Sequence, residues 1–194
     1  MRPIRKTLTP DELRSEHRLV EAAQQNPRHF SALYERYYDA VYLFIYKRLH
    51  EEEIAGDLTA DVFIKALHHL PKYRFQGVPF SAWLFRIASN EVNQYFRHNQ
   101  RQRHVSLERI QLGHLIEEIE EQVSEDSIRQ VLDLIQTLPP DDLQLIELRF
   151  FEQLSYKEIG LICHMTENNA KVRVYRLLTR LRTTLEKQAP VRNV

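Results

Sequence analysis

An all-α fold of two small helical domains joined by an acidic linker is what this sequence predicts, and three observations lead there. Apolar residues recur at three- and four-residue spacing along the long segments, the mark of amphipathic helices. Only 4 glycines occur in 194 residues, too few for the regularly spaced turns of an all-β chain. Charge divides the chain: residues 1–103 hold 16 Lys/Arg against 12 Asp/Glu, 104–137 hold 2 against 8, and 138–194 hold 9 against 7. The formal net charge of +0 therefore conceals two basic blocks around an acidic stretch, a pattern that points to an anionic partner.

Residues 1–25 form a polar N-terminal extension in which Thr9 suits an N-cap and Pro10 the first position of a short helix. Asn26-Pro27 then breaks the chain. The first unit, residues 26–103, opens with Phe30, Leu33, Tyr34, Tyr37, Val41, Phe44, Ile45 and Leu49 at helical spacing, a helix of about five turns. Glu51-Glu52-Glu53 starts the next helix, where acids suit the positive end of the helix dipole. Its stripe is Leu58, Val62, Phe63, Ala66, Leu67 and Leu70, and Pro71 ends it. Lys72–Pro79 reads as a loop by its Gly and Pro, yet it is rich in aromatics and cations. A third helix turns Phe80, Trp83, Leu84, Ile87, Ala88, Val92 and Tyr95 inward and runs out into the basic stretch Arg97–Arg103. Three such helices with short connections make one compact unit, a domain of three to four helices.

Residues 104–127 are the acidic linker, and its Leu107, Ile110, Leu112, Leu115, Ile116 and Ile119 fit either a docking segment or a transient helix. The second unit, 128–187, begins with Ile128, Val131, Leu132 and Ile135 on a short helix that stops at Leu138-Pro139-Pro140. Pro140, Asp141 and Asp142 start the next, which carries Leu143, Ile146, Leu148 and Phe150 to a break at Gln153-Leu154. Ser155–Glu158 is a capping box for a short helix through Ile159, Gly160, Ile162 and Cys163. After His164-Met165, Thr166 caps a long helix with the stripe Ala170, Val174, Leu177, Leu178, Leu181 and Leu185; residues 188–194 are a tail.

A short capped helix, a tight turn and a longer basic helix form the helix-turn-helix pattern. Its second helix presents Glu167, Asn168, Asn169, Lys171, Arg173, Arg176 and Arg180 outward: amides first, for base edges, then cations, for phosphates. With Ser155 and Thr166 at the two helix starts, these are the candidate duplex-DNA residues. In the first unit Tyr73, Phe75, Phe80, Trp83, Tyr95 and Phe96 alternate with Lys72, Arg74, Arg86 and Arg97. Stacking faces beside cations suit single-stranded nucleic acid. Phe80, Trp83 and Tyr95 also lie on the core stripe, so Tyr73 and Phe75 are expected to be the freer pair.

Enzymatic chemistry finds little support. His68-His69 and His98 with His104 lack metal-ligand spacing, and the lone Cys163 fits a small buried thiol in the second unit's turn. No phosphate loop, nucleophile elbow or zinc-protease motif occurs, so neither catalysis, a cofactor, a metal nor a small-molecule substrate is expected. No apolar run approaches the ~20 residues that span a bilayer. Met1–Lys6 is basic without an apolar core behind it, which is not a signal peptide, and a cytoplasmic location without membrane insertion is expected.

Taken in order, these segments resemble one family. Asp57-Leu58-Thr59-Ala60-Asp61-Val62-Phe63-Ile64-Lys65-Ala66 resembles the core-polymerase-binding helix of the extracytoplasmic-function (ECF) sigma factors of the sigma-70 family. Phe75-Gln76-Gly77 with Phe80–Asn90 is similar to that family's promoter-melting segment, and Leu138–Arg182 to its region 4. The resemblance covers residues 28–103 and 128–187. It departs at Ala60-Asp61, where a Gln-Glu pair is common, at Gln76, where a basic residue is common, and at Asn168-Asn169, where Gly-Thr is frequent.

The resemblance implies that Asp57, Thr59, Asp61 and Lys65 bind core RNA polymerase through its beta and beta-prime subunits. It implies further that Tyr73, Arg74, Phe75, Trp83, Arg86, Asn90, Asn93 and Arg97 melt promoter DNA and hold the single strand. The acidic linker would then thread toward the RNA exit channel. An anti-sigma factor is an implied partner, and the active factor would be nucleoid-associated. The alternative from another class is a free-standing helix-turn-helix regulator with an N-terminal interaction domain.

Overall fold

The computed structural model describes residues 8–99, 115 and 125–188. Among the described residues there are eight α-helices and no strand. They form two compact units. Residues 104–124 of the linker expected over 104–127, the end of the basic run at 100–103 and the tail beyond Gln188 lie outside the described residues, Leu115 excepted, and the last three linker positions, 125–127, are already helical.

The first unit contains α1 (Pro10–Gln25), α2 (Phe30–Leu49), α3 (Glu52–His69) and α4 (Phe80–Asn99). Helices α2, α3 and α4 pack on one another around Leu33, Val41, Phe44, Ile45, Val62, Phe63, Leu84, Phe85 and Val92. Phe44 and Phe85 stack with centroids 4.5 Å apart, and burying each such ring stabilises the fold by about 2–3 kcal/mol. Helix α2 ends at His50, whose left-handed φ of 56° turns the chain toward α3. After α3, Leu70–Lys72 forms a short 3-10 turn at Pro71.

The unit holds four helices, within the three to four expected, because α1 packs against α2, α4 and the 3-10 turn. Its start is as expected: Thr9 Oγ1 accepts from Glu12 N–H at 3.2 Å while the Glu12 carboxylate accepts from Thr9 N–H at 2.7 Å. The inward stripe of α4 is wider than expected. Phe80 through Phe85 are all buried, because three helices surround this end of α4, whereas Ile87 is only half-buried. Conversely, Tyr34 and Leu67 of the expected stripes are exposed.

The second unit contains α5 (Glu125–Gln136), α6 (Pro140–Ile146), α7 (Tyr156–Ile162) and α8 (Glu167–Gln188). Val131, Ile135, Leu143, Ile146, Leu148, Ile159, Val174 and Leu181 are its buried core. The last turn of α6 widens into a π-helical turn over Glu147–Phe151, which buries both Phe150 and Phe151. Gln153 then takes a left-handed φ of 53° and Leu154 N–H bonds back to Leu148 O at 3.0 Å, closing the helix where the break was expected.

The turn between α7 and α8 depends on a glycine. A Cβ on Gly160 would sit 2.7 Å from Met165 O and 3.2 Å from Glu167 N, so a larger residue would push the two helices apart. Met165 N–H in turn bonds to Gly160 O at 2.9 Å. No helix among the described residues is long and apolar enough to cross a membrane.

Candidate nucleic-acid and partner interfaces

The outer face of α3 carries Asp57 and Asp61, one turn apart and both exposed. Beside them Ile64 is 56% exposed, and Leu67 is exposed as well. An acid pair flanked by uncovered apolar side chains suits a partner with basic and apolar groups. Ile64 was absent from the expected set; its signal was an isoleucine out of phase with the Val62-Phe63-Ala66 stripe. Thr59 does not reach this face. It is buried, and its hydroxyl donates to Ala55 O at 2.6 Å, as threonine does inside a helix. Lys65 turns toward α4, where its Nζ lies 2.5 Å from the buried carboxylate of Glu91.

The loop between the 3-10 turn and α4 is held at both ends by α1. Gln24 Nε2 donates to Leu70 O at 2.9 Å and to Tyr73 O at 3.0 Å. Glu16 is 1% exposed; its carboxylate accepts from the first amide of α4, Phe80 N–H, at 2.7 Å and from the Tyr37 hydroxyl. A negative charge at a helix N-terminus is favourable on both dipole and hydrogen-bond grounds. Gly77 takes a left-handed φ of 68° within the loop, a conformation glycine adopts without a steric penalty.

Tyr73 is not the free stacking face expected of it. It is 8% exposed, edge-on to Phe80 at 5.3 Å and tilted against Trp83 at 5.0 Å. Burial, with the neighbouring Glu16 carboxylate, pushes its phenol up to about 12. Trp83 is buried in the same cluster. Phe75 is the exposed aromatic: it is 38% exposed, with one face stacked on His17 at 4.7 Å. Arg74 is exposed and donates to Tyr73 O at 3.1 Å. Along α4, Asn90 and Arg97 are exposed and Arg86 and Asn93 half-buried. Exposed Phe75, the cations and Asn90 thus remain as groups able to meet an unpaired base.

In the second unit the two helix-start residues are caps. Ser155 Oγ accepts from Glu158 N–H at 3.3 Å, and the Glu158 carboxylate takes the Ser155 N–H at 2.9 Å and hydroxyl at 2.8 Å. Thr166 Oγ1 accepts from Asn169 N–H at 3.2 Å. Both side chains therefore serve the fold first. Asn168, Asn169, Lys171 and Arg176 are exposed on α8. Arg173 and Arg180, by contrast, share the carboxylate of Asp142 on α6, at 3.2 and 3.1 Å. The exposed ring of Tyr175 adds an apolar patch between the cations.

Comparison with known proteins follows the same two units. A family model described as Sigma-70 region 2 matches residues 33–102, and one described as Sigma-70, region 4 matches residues 128–181. The chain is similar to the ECF RNA polymerase sigma factor BldN of Streptomyces coelicolor, with 32% identity over 179 residues, 88% of this chain and 66% of that protein. It is similar to the ECF RNA polymerase sigma factor SigM of Bacillus subtilis, with 27% identity over 77% of this chain and 91% of that protein. Its fold resembles the sigma factor RpoE in complex with the anti-sigma factor NepR from Bartonella quintana, at a TM-score of 0.53 and 22% identity over 81% of this chain and 96% of that one.

Proposed function

This chain belongs to the sigma-70 family, as an RNA polymerase sigma factor of the ECF type, and on that premise we propose that it carries out promoter-specific initiation in three divided tasks. As a sigma factor it is an initiation factor and not an enzyme.

The α3 face engages core RNA polymerase, with Asp57 and Asp61 pairing to cations of the beta and beta-prime subunits and Ile64 covered by an apolar partner group. The α7–α8 pair reads the upstream promoter duplex. Asn168 and Asn169 bond base edges, as amides do bidentately with adenine, while Lys171 and Arg176 hold phosphates. The loop at Phe75 and the neighbouring Asn90 take bases that leave the stack when the promoter opens. Such capture lowers the free energy of the unpaired state because a flipped base finds a stacking face and polar edge contacts.

The observation that carries this reading is the order of surfaces in one chain: an acidic and apolar helix face, then an anchored aromatic loop, then a helix-turn-helix with amides in its first turn. An anti-sigma factor covering one of these surfaces is part of the proposal, and the RpoE relative bound to NepR supports it. Action at promoters places the active factor on the nucleoid. Run-off transcription with purified core enzyme on genomic fragments tests the whole: specific transcripts that need this chain are expected, and none would appear if the reading is wrong.

A further inference from the structure

Three points of the loop between α3 and α4, its two ends and the ring of Phe75, are contacted from α1, a helix that precedes the matched region 33–102. Gln24 places both of its bonds on the carbonyls of Leu70 and Tyr73, where the loop begins. Glu16 takes the Phe80 amide, where the loop ends. His17 lies against one face of Phe75, the exposed ring between those ends, with an interplanar angle of 23°. One turn on in α1, the Glu21 carboxylate lies 3.5 Å from His17 Nε2.

An aromatic ring that is partly exposed and unsupported would have to be ordered when a base stacks on it. One already braced on its inner face loses less freedom, and preorganisation of that kind appears directly as binding. We infer that α1 is the positioning element of the base-capturing loop: Gln24 sets the Tyr73 backbone, and His17 braces Phe75 so that its outer face receives an unpaired promoter base. This rests on the reading above that the loop captures melted bases. His17 and Gln24 act through Phe75 and Tyr73 and are positioning residues, not base contacts.

Holoenzyme carrying the full chain provides the test, on a promoter that run-off transcription has shown it to use. Open complexes are measured by permanganate reactivity, and base preference by substituting each position of the melted segment in turn. Trp83, the sole tryptophan in the sequence and 5.0 Å from Tyr73, reports the loop by acrylamide quenching. His17→Ala and Gln24→Glu are expected to lower open complexes about tenfold, the scale of one lost stacking contact, and to flatten base preference at one position. Trp83 should become more quenchable in Gln24→Glu, with core binding unchanged. His17→Phe, which keeps a ring against Phe75, should restore both open complexes and preference.

A helix that merely stabilised the unit would lower the thermal midpoint in all variants and leave base preference intact, which overturns the inference. Wild-type open complexes and preference in both loss variants overturn it too. Asn90→Ala separates the two levels: if it lowers open complexes while the α1 variants do not, only the role of α1 fails, and if it also has no effect, base capture itself fails. Should Gln24→Glu not fold, the comparison of His17→Ala with His17→Phe decides alone.

Discussion

Replacing Glu16 by alanine is expected to cost the first unit about 3–5 kcal/mol. The carboxylate is 1% exposed and holds two hydrogen bonds, one to the start of α4 at 2.7 Å and one to the hydroxyl of Tyr37 on α2. Bonds to a charged acceptor contribute roughly 1.5–3 kcal/mol each, and the loss is not fully additive because both share one group. For a unit of this size the thermal midpoint should fall by roughly 15–25 °C. Urea unfolding followed by tryptophan fluorescence is the assay, since Trp83 is the only tryptophan and lies in this unit. Glu16→Gln keeps one acceptor oxygen and should lose about half as much. A loss below about 1 kcal/mol in Glu16→Ala, or a glutamine variant as damaged as the alanine one, would refute the view that this carboxylate ties α1, α2 and α4 together.

Asp61→Lys should weaken core-polymerase binding in a titration while leaving stability within about 0.5 kcal/mol, because the side chain is exposed. Asp142→Asn releases Arg173 and Arg180 to phosphates, so the salt dependence of holoenzyme binding to duplex DNA should steepen by about 1.8 in log–log slope, at roughly 0.9 per added contact. Tyr73 has its phenol raised from 10.0 to about 12, so the neutral ring's contribution is fully present below pH 10 and lost as pH rises from there through about 12. Tyr73→Phe should remove this part of the alkaline decline in a pH series of unfolding curves. Asn169→Ala should shift base preference at one duplex position by ~1–3 kcal/mol whereas Arg176→Ala weakens all sequences alike; equal uniform losses would contradict the division into base and phosphate readers.

Helices α2 to α4 were legible because each carries an apolar stripe of local origin, and the α7–α8 pair because its caps are short-range signals. The fixed points of the loop were not. Gln24 meets Leu70 and Tyr73 across 46 and 49 residues, and Glu16 meets Phe80 across 64. Hydrophobic periodicity carries no trace of polar contacts at that distance, and α1 buries only Glu16, Val20 and Ala23, too few apolar groups to advertise its docking. The same blindness applies to Asp142, which meets Arg173 and Arg180 across 31 and 38 residues and changes the meaning of both cations. Tyr73 sits in a loop by composition, and loops are ordinarily exposed, yet a neighbouring Phe80 and Trp83 enclose it. Thr59 falls within a segment that resembles a binding helix, but its place on the turn points it inward.

The central claim is that this chain reads promoters as a subunit of RNA polymerase. The most direct measurement is binding of the full chain to a labelled promoter duplex, with and without core enzyme, at one fixed salt concentration. Specific binding and a permanganate-reactive bubble that require core enzyme are the predicted result. Tight, sequence-specific binding by the chain alone as a dimer, unchanged by core enzyme and without a bubble, would contradict it and identify a free-standing helix-turn-helix regulator instead.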